Sequence, residues 1–463
     1  MLLPVGLEPA TGEVGRTNSC RLQVNILNNM RRISREPAEY QLMTRKCNDL
    51  INPSERPGTR PAVPLDHGFK QLRTISFLRG LSRSSRQRRS AQGGMHAPSI
   101  FWVTNLAAPY RLPVWRHLAK RHELTIGLLE SNARLQQDSD ANRGSDWLHH
   151  DDQKVAFQEL PTWKFRRGES RYYALASITS IGTIRNFDVV LFGGWESPAY
   201  WSLLAAAVVL RKGRVGFYES PSSTMTYASG FIAWLRKSFF RSMNVVVVPG
   251  RAAAEAVLGM GVDPSRIMQG FNAVDVNEFH SASLARMEDS GAADTHHRYL
   301  YVGQLIERKR VDAIVKAYAE IATTSDELTI VGTGAMREEL IMADRRGASI
   351  SFIGQVENRE IPKIMARHQT LILASQQEVW GLVVNEALAA GMHVVVTDNC
   401  GVLPSVVGMR GVYVAKSSLV DLPEQLRNSR ADWAGRIEKP EILQHTPERF
   451  AEVFEAAFAA SVR

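Results

Sequence analysis

Two glutamates in an E-x7-E arrangement, Glu378-Val-Trp-Gly-Leu-Val-Val-Asn-Glu386, follow the apolar run Thr370 to Ser375 and enter a helical pattern that stops at Gly391. Glu378 falls in the strand-to-helix turn and Glu386 about two turns further on, so one ligand could meet both. Backbone N–H groups from Trp380, Gly381, Leu382 and Val383 would face the same space, and a helix N-terminus favours an anionic group such as a pyrophosphate. Carboxylates beside such a site suit sugar hydroxyls at either end of a diphosphate, not the diphosphate itself.

A second group lies in Gly303-Gln-Leu-Ile-Glu-Arg-Lys309, at the exit of another apolar run. Gly303 permits close backbone approach. Lys309, at the mouth of the next helix, can reach a phosphate oxygen as a mobile point charge. Third, Gly332-Thr-Gly334 follows Leu328 to Val331 as a nucleotide-binding turn would. Its G-x-G-x-x-G fingerprint fails at Arg337, which disfavours a nicotinamide enzyme.

The elements that must position these residues alternate strand-like and helix-like segments, the pattern of a doubly wound parallel sheet. Strands are expected at 99–105, 123–130, 188–194, 214–220 and 244–250. After a loss of periodicity they are expected again at 299–303, 327–332, 349–354, 370–375, 393–398 and 411–415. The fold class is therefore α/β, with two Rossmann-like doubly wound domains facing across a cleft. Ligands in open parallel sheets bind beyond the carboxyl ends of the strands, which is where the singled-out residues fall. The expected organisation is a basic leader over 1–97, a first Rossmann-like domain over 98–280, a linker over 281–298, a second Rossmann-like domain over 299–440 and a C-terminal helix over 441–463.

The chain has 463 residues and a net charge of +9. Residues 1–94 hold 16 of the 56 Lys and Arg but only 7 of the 47 Asp and Glu, so the rest carries 40 of each. The excess charge thus belongs to the leader, whose scattered Pro, Ser and Arg read as a disordered tail. Three readings of it compete: translation beginning at Met95, an arm for nucleic acid or anionic lipid, and a transit peptide, against which its acidic residues weigh. Three cysteines, two of them in the leader, exclude a disulfide framework for the body and point to a reducing compartment. No run approaches the roughly 20 apolar residues of a membrane span, and the N-terminus has no secretory pattern. A cytoplasmic location is expected, with a peripheral place on the membrane's cytoplasmic face left open.

Over most of residues 98–463, and most tightly from 299 to 401, the sequence resembles the retaining glycosyltransferases of family 4, which have the GT-B fold; the resemblance implies an acceptor domain in 98–280, a donor domain in 299–440 and a C-terminal helix, 441–463, crossing back to the first domain. The E-x7-E pair, YVGQLIERKR, IVGTGAMREEL, SFIGQV and EALAAGMHVVVTDNCG all look like that family's donor-binding half, and NAVD at Asn272 to Asp275 looks like its interdomain crossing. The resemblance implies that Glu378 contacts the transferred sugar and Glu386 the nucleotide ribose, and that Gln355 and Val356 border the donor. The family's diphosphate clamp pairs an Arg after the strand glycine with a Lys. Here Gln304 stands in the Arg place while Lys309 is kept, with Arg308 a candidate substitute. In the first half, Glu219 in GFYES takes the place of a catalytic-site His or Asp, and Tyr110 and Arg111 in AAPYR shape the acceptor side.

The activity so implied is transfer of a sugar from a nucleotide diphosphate sugar to a glycan, lipid-linked or small-molecule hydroxyl. Anomeric configuration is retained, with no cofactor and no metal. Asp138-Ser-Asp140 is a lone D-x-D in a polar run with no preceding strand, and His149, His150, Asp151 and Asp152 lack i, i+4 spacing; both read as solvated surface. Gly230 to Met243 interleaves Phe231, Trp234, Leu235, Phe239 and Phe240 with Arg236, Lys237 and Arg241. It reads either as a helix packed on the sheet or as a peripheral contact with anionic membrane. Competing functions are an epimerase or phosphorylase on the same fold and a non-catalytic nucleic-acid binder acting through the leader. The leader lacks interleaved aromatics for base stacking, so nucleic acid is not expected as a partner.

Overall fold

Short β-branched runs bounded by turns can bury both faces only inside a parallel sheet covered by helices. Val245–Val248 and Val189–Phe192 do so at every residue. The computed structural model describes residues 97–137, 155–167, 170–289, 296–343 and 349–462. The leader up to residue 96, Asp138 to Asp140 and His149 to Asp152 lie outside the described residues.

The first sheet comprises β1 (Ile100–Thr104), β2 (Leu124–Leu128), β3 (Ala156–Glu159), β6 (Val189–Phe192), β7 (Gly213–Phe217), β8 (Val245–Val248) and β9 (Ile267–Gln269). They are all parallel, in the order β3-β2-β1-β6-β7-β8-β9. An antiparallel hairpin of β4 (Thr162–Arg167) and β5 (Ser170–Leu175) stands apart from it. The second sheet comprises β10 (Arg298–Val302), β11 (Glu327–Val331), β12 (Ile350–Gly354), β13 (Thr370–Leu373), β14 (His393–Thr397) and β15 (Val412–Ala415). These are parallel in the order β12-β11-β10-β13-β14-β15. In both sheets the winding reverses once, at β1/β6 and at β10/β13, which opens a crevice at the carboxyl ends there.

The helices that matter for the site are α1 (Leu112–Leu118), α2 (Pro198–Val209), α3 (Gly230–Arg241), α4 (Arg251–Gly259), α5 (Val276–Asp289), α6 (Val311–Ile321), α7 (Leu382–Ala389) and α8 (Pro447–Ser461). Although last in sequence, α8 packs on the first sheet: Phe450, Phe454 and Phe458 are buried with Ile100, Trp102 and Phe217. The Phe454 ring lies 4.8 Å from that of Trp102 and 5.4 Å from that of Phe217. Both sheets and this returning helix belong to one compact unit, Gly93–Arg463.

Two local features differ from the pattern reading. The stretch expected to be linker from Ser281 onward is helical through Asp289, because α5 packs on α7 and buried Ser283 donates to the carbonyl of Ala390 at 2.8 Å. Tertiary contact supplies what weak periodicity did not. Of the expected linker, 290–295 lies outside the described residues. Along α3, Arg236, Phe239 and Phe240 are buried, so only part of the amphipathic stripe, notably Phe231 and Trp234 with Lys237 and Arg241, faces solvent.

Candidate active site

At the switch point of the second sheet the loops after β10 and β13 meet. The backbone N–H of Gln376 donates to the carbonyl of Arg308 at 2.8 Å, and the Lys309 ammonium is directly paired with the Glu378 carboxylate. Both side chains are mostly buried, at 13% and 15% exposure. Ser375 Oγ adds a 3.2 Å bond to the same carboxylate oxygen. Behind them, Cys400 is buried with its thiol donating to the Trp380 carbonyl at 3.2 Å, and burial pushes that thiol up to about 12. It is an inert packing group, not a nucleophile.

The glycines hold this edge together by close approach. A β-carbon on Gly332 would lie 1.8 Å from the Gly303 carbonyl oxygen, and one on Gly334 would lie 2.3 Å from that of Leu305. Only glycine fits there. The loops then exchange backbone bonds: Leu305 N–H to the Thr333 carbonyl at 2.9 Å and Met336 N–H to the Leu305 carbonyl at 3.0 Å. Gln304, Arg308 and Gln355 are exposed on this rim, while Val356 packs against the core of the second sheet. Arg308 acts electrostatically on buried Tyr301, whose hydroxyl donates to the Gln304 carbonyl at 2.8 Å.

Helix α7 begins at Leu382, after Gly381 in the left-handed conformation at φ +96°. Glu386 is carried on it into a half-buried place where burial, and secondarily the charge of Glu278 on α5, push its carboxyl up to about 7. Glu278 went unnoticed in the sequence because its approach depends on packing between distant helices. The Trp380 side chain does not line an open site: it is 5% exposed, meets Phe271 edge-on at 5.2 Å and donates to Asn385 at 3.3 Å.

On the first sheet, Glu219 follows β7 and forms an ion pair with Arg111 at 2.6 Å. Arg111 is 7% exposed and rests over the Phe217 ring at 4.3 Å, with Tyr110 at 5.4 Å. Asn272 Nδ2 donates to the same Glu219 oxygen at 3.2 Å. The carbonyl of Asn272 in turn accepts from Asn385 Nδ2 of α7 at 2.6 Å. Glu219 is thereby tied, through one buried asparagine pair, to the helix that follows Glu378. Asn272 was singled out in the sequence only as part of NAVD and Asn385 not for itself, since an asparagine shows its role only when its partner is known. A cavity of about 430 Å³ at the same junction is lined by Arg251, Phe271, Ser405, His445 and Arg449 among others, and by none of the residues named above for donor or acceptor.

Residues 285–427 match the family model of glycosyl transferases group 1. An uncharacterised glycosyltransferase of Methanocaldococcus jannaschii is 23% identical over 234 residues, 48% of this chain and 59% of that protein. The glycogen synthase of Mycobacterium tuberculosis is 29% identical over 296 residues, 58% of this chain and 67% of that protein. The chain thus spans about six tenths of the first of these curated relatives. Among solved structures, Anabaena HepE in complex with UDP superposes with a TM-score of 0.53 at 15% identity, covering 78% of this chain and 95% of that one. With two doubly wound parallel sheets, a C-terminal helix returning to the first, and this likeness, the fold is GT-B.

Proposed function

We propose that the protein is a glycosyltransferase that moves a sugar from a nucleotide diphosphate sugar to an acceptor hydroxyl. The observation that carries this reading is the pairing of Lys309 with Glu378 where the loops after β10 and β13 meet, at the switch point of the second sheet. A cation poised there suits a diphosphate, and the carboxylate beside it suits the hydroxyls of the attached sugar. Donor entry exchanges the mutual ion pair for Lys309 on phosphate and Glu378 on sugar, so neither charge is left unpaired when the site is empty. The matched family model falls in this half, and HepE has been crystallised in complex with UDP, and with UDP and glucose.

In the finer form of the proposal, the bond from the anomeric carbon to the diphosphate breaks and its electron pair leaves with the phosphate. The acceptor oxygen attacks the same face, and its proton passes to the departing phosphate oxygen, so configuration is retained. Lys309 and the N–H groups that open α7 stabilise the leaving charge without a metal. Glu386 accepts from ribose hydroxyls, and Tyr110, Arg111 and Glu219 shape the acceptor side. A glycan or lipid-linked acceptor fits this reading. Phe231 and Trp234, stacked at 5.7 Å and exposed beside Lys237 and Arg241, would rest on an anionic bilayer. Co-sedimentation with anionic but not neutral vesicles, lost in the Phe231→Ser/Trp234→Ser variant, checks that contact.

The test of the function is a screen of nucleotide sugars by thermal shift, followed by product analysis with and without acceptors. One donor is expected to stabilise by several degrees through mass action and to yield a transferred sugar only when an acceptor is present. Release or epimerisation of the sugar at full rate without acceptor would replace transferase by epimerase or phosphorylase.

A further inference from the structure

Among the described residues, several buried charged groups have a partner of opposite charge or a full set of carbonyls. Glu130, essentially inaccessible, meets Lys164 at 2.8 Å, and Asp326 meets Arg430 at 2.6 Å. Arg436, a deeply set guanidinium with no carboxylate, spends its donors on the carbonyls of Ala390, Met365, Ala366 and His368. Arg236 on α3 differs. It is 6% exposed, its Nη2 donates to the Tyr227 carbonyl at 2.6 Å, and its guanidinium lies 5.5 Å from the Trp195 ring centre. Its buried Nε bonds to nothing, and no carboxylate among the described residues pairs with it. A guanidinium carries five N–H donors, and here Nη2 has one protein acceptor while Nε is buried with none. A buried cation so incompletely matched is costly unless an anion completes it.

Its position says where such an anion would sit. Trp195 lies in the loop after β6 and Tyr227 in the loop after β7, both at the carboxyl edge of the first sheet. Tyr218, close enough for the charge of Arg236 to act on its hydroxyl, directly precedes Glu219. From Glu219 the bonds to Asn272 and Asn385 lead to the helix behind Glu378. Arg236 therefore stands on the acceptor side of the proposed reaction, remote in sequence from Lys309.

We propose that Arg236, with Trp195 beside it, is the anion-recognition point of the acceptor site, and that the acceptor carries an oxyanion group, phosphate or carboxylate. This rests on the transferase reading only for the word acceptor; the site itself is a property of the first sheet. Arg236 is a specificity residue, and it takes no part in breaking the donor bond.

The probes are inorganic phosphate and malonate. Each is titrated calorimetrically into protein first saturated with UDP, GDP or ADP, whichever stabilises it most, so that the Lys309 site is filled. Saturable binding of one or both is expected, and the one that binds identifies the group. The apparent Kd should weaken at least tenfold in Arg236→Gln, and less in Arg236→Lys. Because loss of a buried arginine can unfold the domain, Trp195→Leu is measured alongside and should weaken binding several-fold. Absence of saturable binding in the wild type overturns the proposal, as does unchanged affinity in folded Arg236→Gln. Binding lost in Arg449→Gln but kept in Arg236→Gln would assign the anion to the 430 Å³ cavity and overturn it equally. If no nucleotide stabilises the protein, the transferase reading fails; the same titration on free protein of the wild type and Arg236→Gln still decides the anion site.

Discussion

The carboxyl edges of the two sheets face the same problem and solve it differently. On the second sheet the charged pair is assembled from two neighbouring loops, Lys309 after β10 and Glu378 after β13, over glycines that let the backbones touch. On the first sheet the groups come from far apart: Arg111 before α1, Glu219 after β7, Asn272 before α5 and Arg236 within α3. Local backbone geometry builds the one edge. Long-range side-chain pairing builds the other, so under the proposed transferase activity the second sheet would be a fixed holder for a common donor while side-chain exchange on the first would retune the acceptor.

The sharpest break of this contrast is at the donor edge. Glu378→Gln and Lys309→Ala should each lower turnover on the order of a hundredfold or more, the scale seen when one preorganised electrostatic partner is removed. Steady-state kinetics on variants shown to be folded will tell. Wild-type turnover in both would remove any functional difference between the edges.

Next in size is Glu219→Gln, expected to cost roughly tenfold to a hundredfold, within the range of one acid–base or positioning group. A double-mutant cycle with Arg111→Gln separates two roles. If Glu219 works only by holding Arg111, the double variant is no worse than either single one.

A smaller, pH-dependent effect is expected at Glu386, whose carboxyl is pushed up to about 7 by burial and the charge of Glu278. If Glu386 holds the ribose as proposed, the hydroxyls would donate to its ionised form, so nucleotide affinity should rise by about tenfold from pH 6 to pH 8, and Glu386→Gln should flatten that rise. The folding sign is opposite. Because the folded carboxyl is raised above its unfolded value near 4.5, the native state holds the extra proton between the two. Stability falls as pH rises from about 4.5 to 7. Denaturant titrations at pH 5 and 8 should show that slope in the wild type and lose it in Glu386→Gln.

The smallest effect expected is on stability. Asn385→Ala removes the buried link between α7 and Asn272 and should cost about 1–3 kcal/mol, read as a lowered Tm. If the variant is as stable as the wild type, the two edges are not mechanically joined there.

The eleven apolar runs expected to be strands are strands: nine lie inside the sheets, where burial on both faces leaves a continuous hydrophobic signature, while the edge strands β12 and β15 are only partly buried and were legible from their apolar runs alone. β3 and β9 carried no such signature: both are edge strands, short and only partly buried. The hairpin of β4 and β5 was hidden for a related reason, its polar positions and arginines reading as loop while only Thr162 and Tyr173 are buried. In the candidate site, Glu378 and Lys309 were legible because each follows its strand by a few residues. The partners of Glu219 were not, because Asn272 lies 53 residues from Glu219 and 113 from Asn385.

What the sequence alone determined is therefore what has a local cause: the strands, their winding into two parallel sheets, and the loop residues that must sit at their carboxyl ends. What only the tertiary structure decided is which charges meet. Arg111 and Arg236 are two arginines near the carboxyl edge of one sheet, and nothing in their neighbourhoods along the chain says which of them meets a carboxylate. One is matched by a carboxylate that another strand delivers. The other is buried with its charge unpaired. The cost of a buried charge is set by what surrounds it in space, and that is fixed only once both sheets have closed around it.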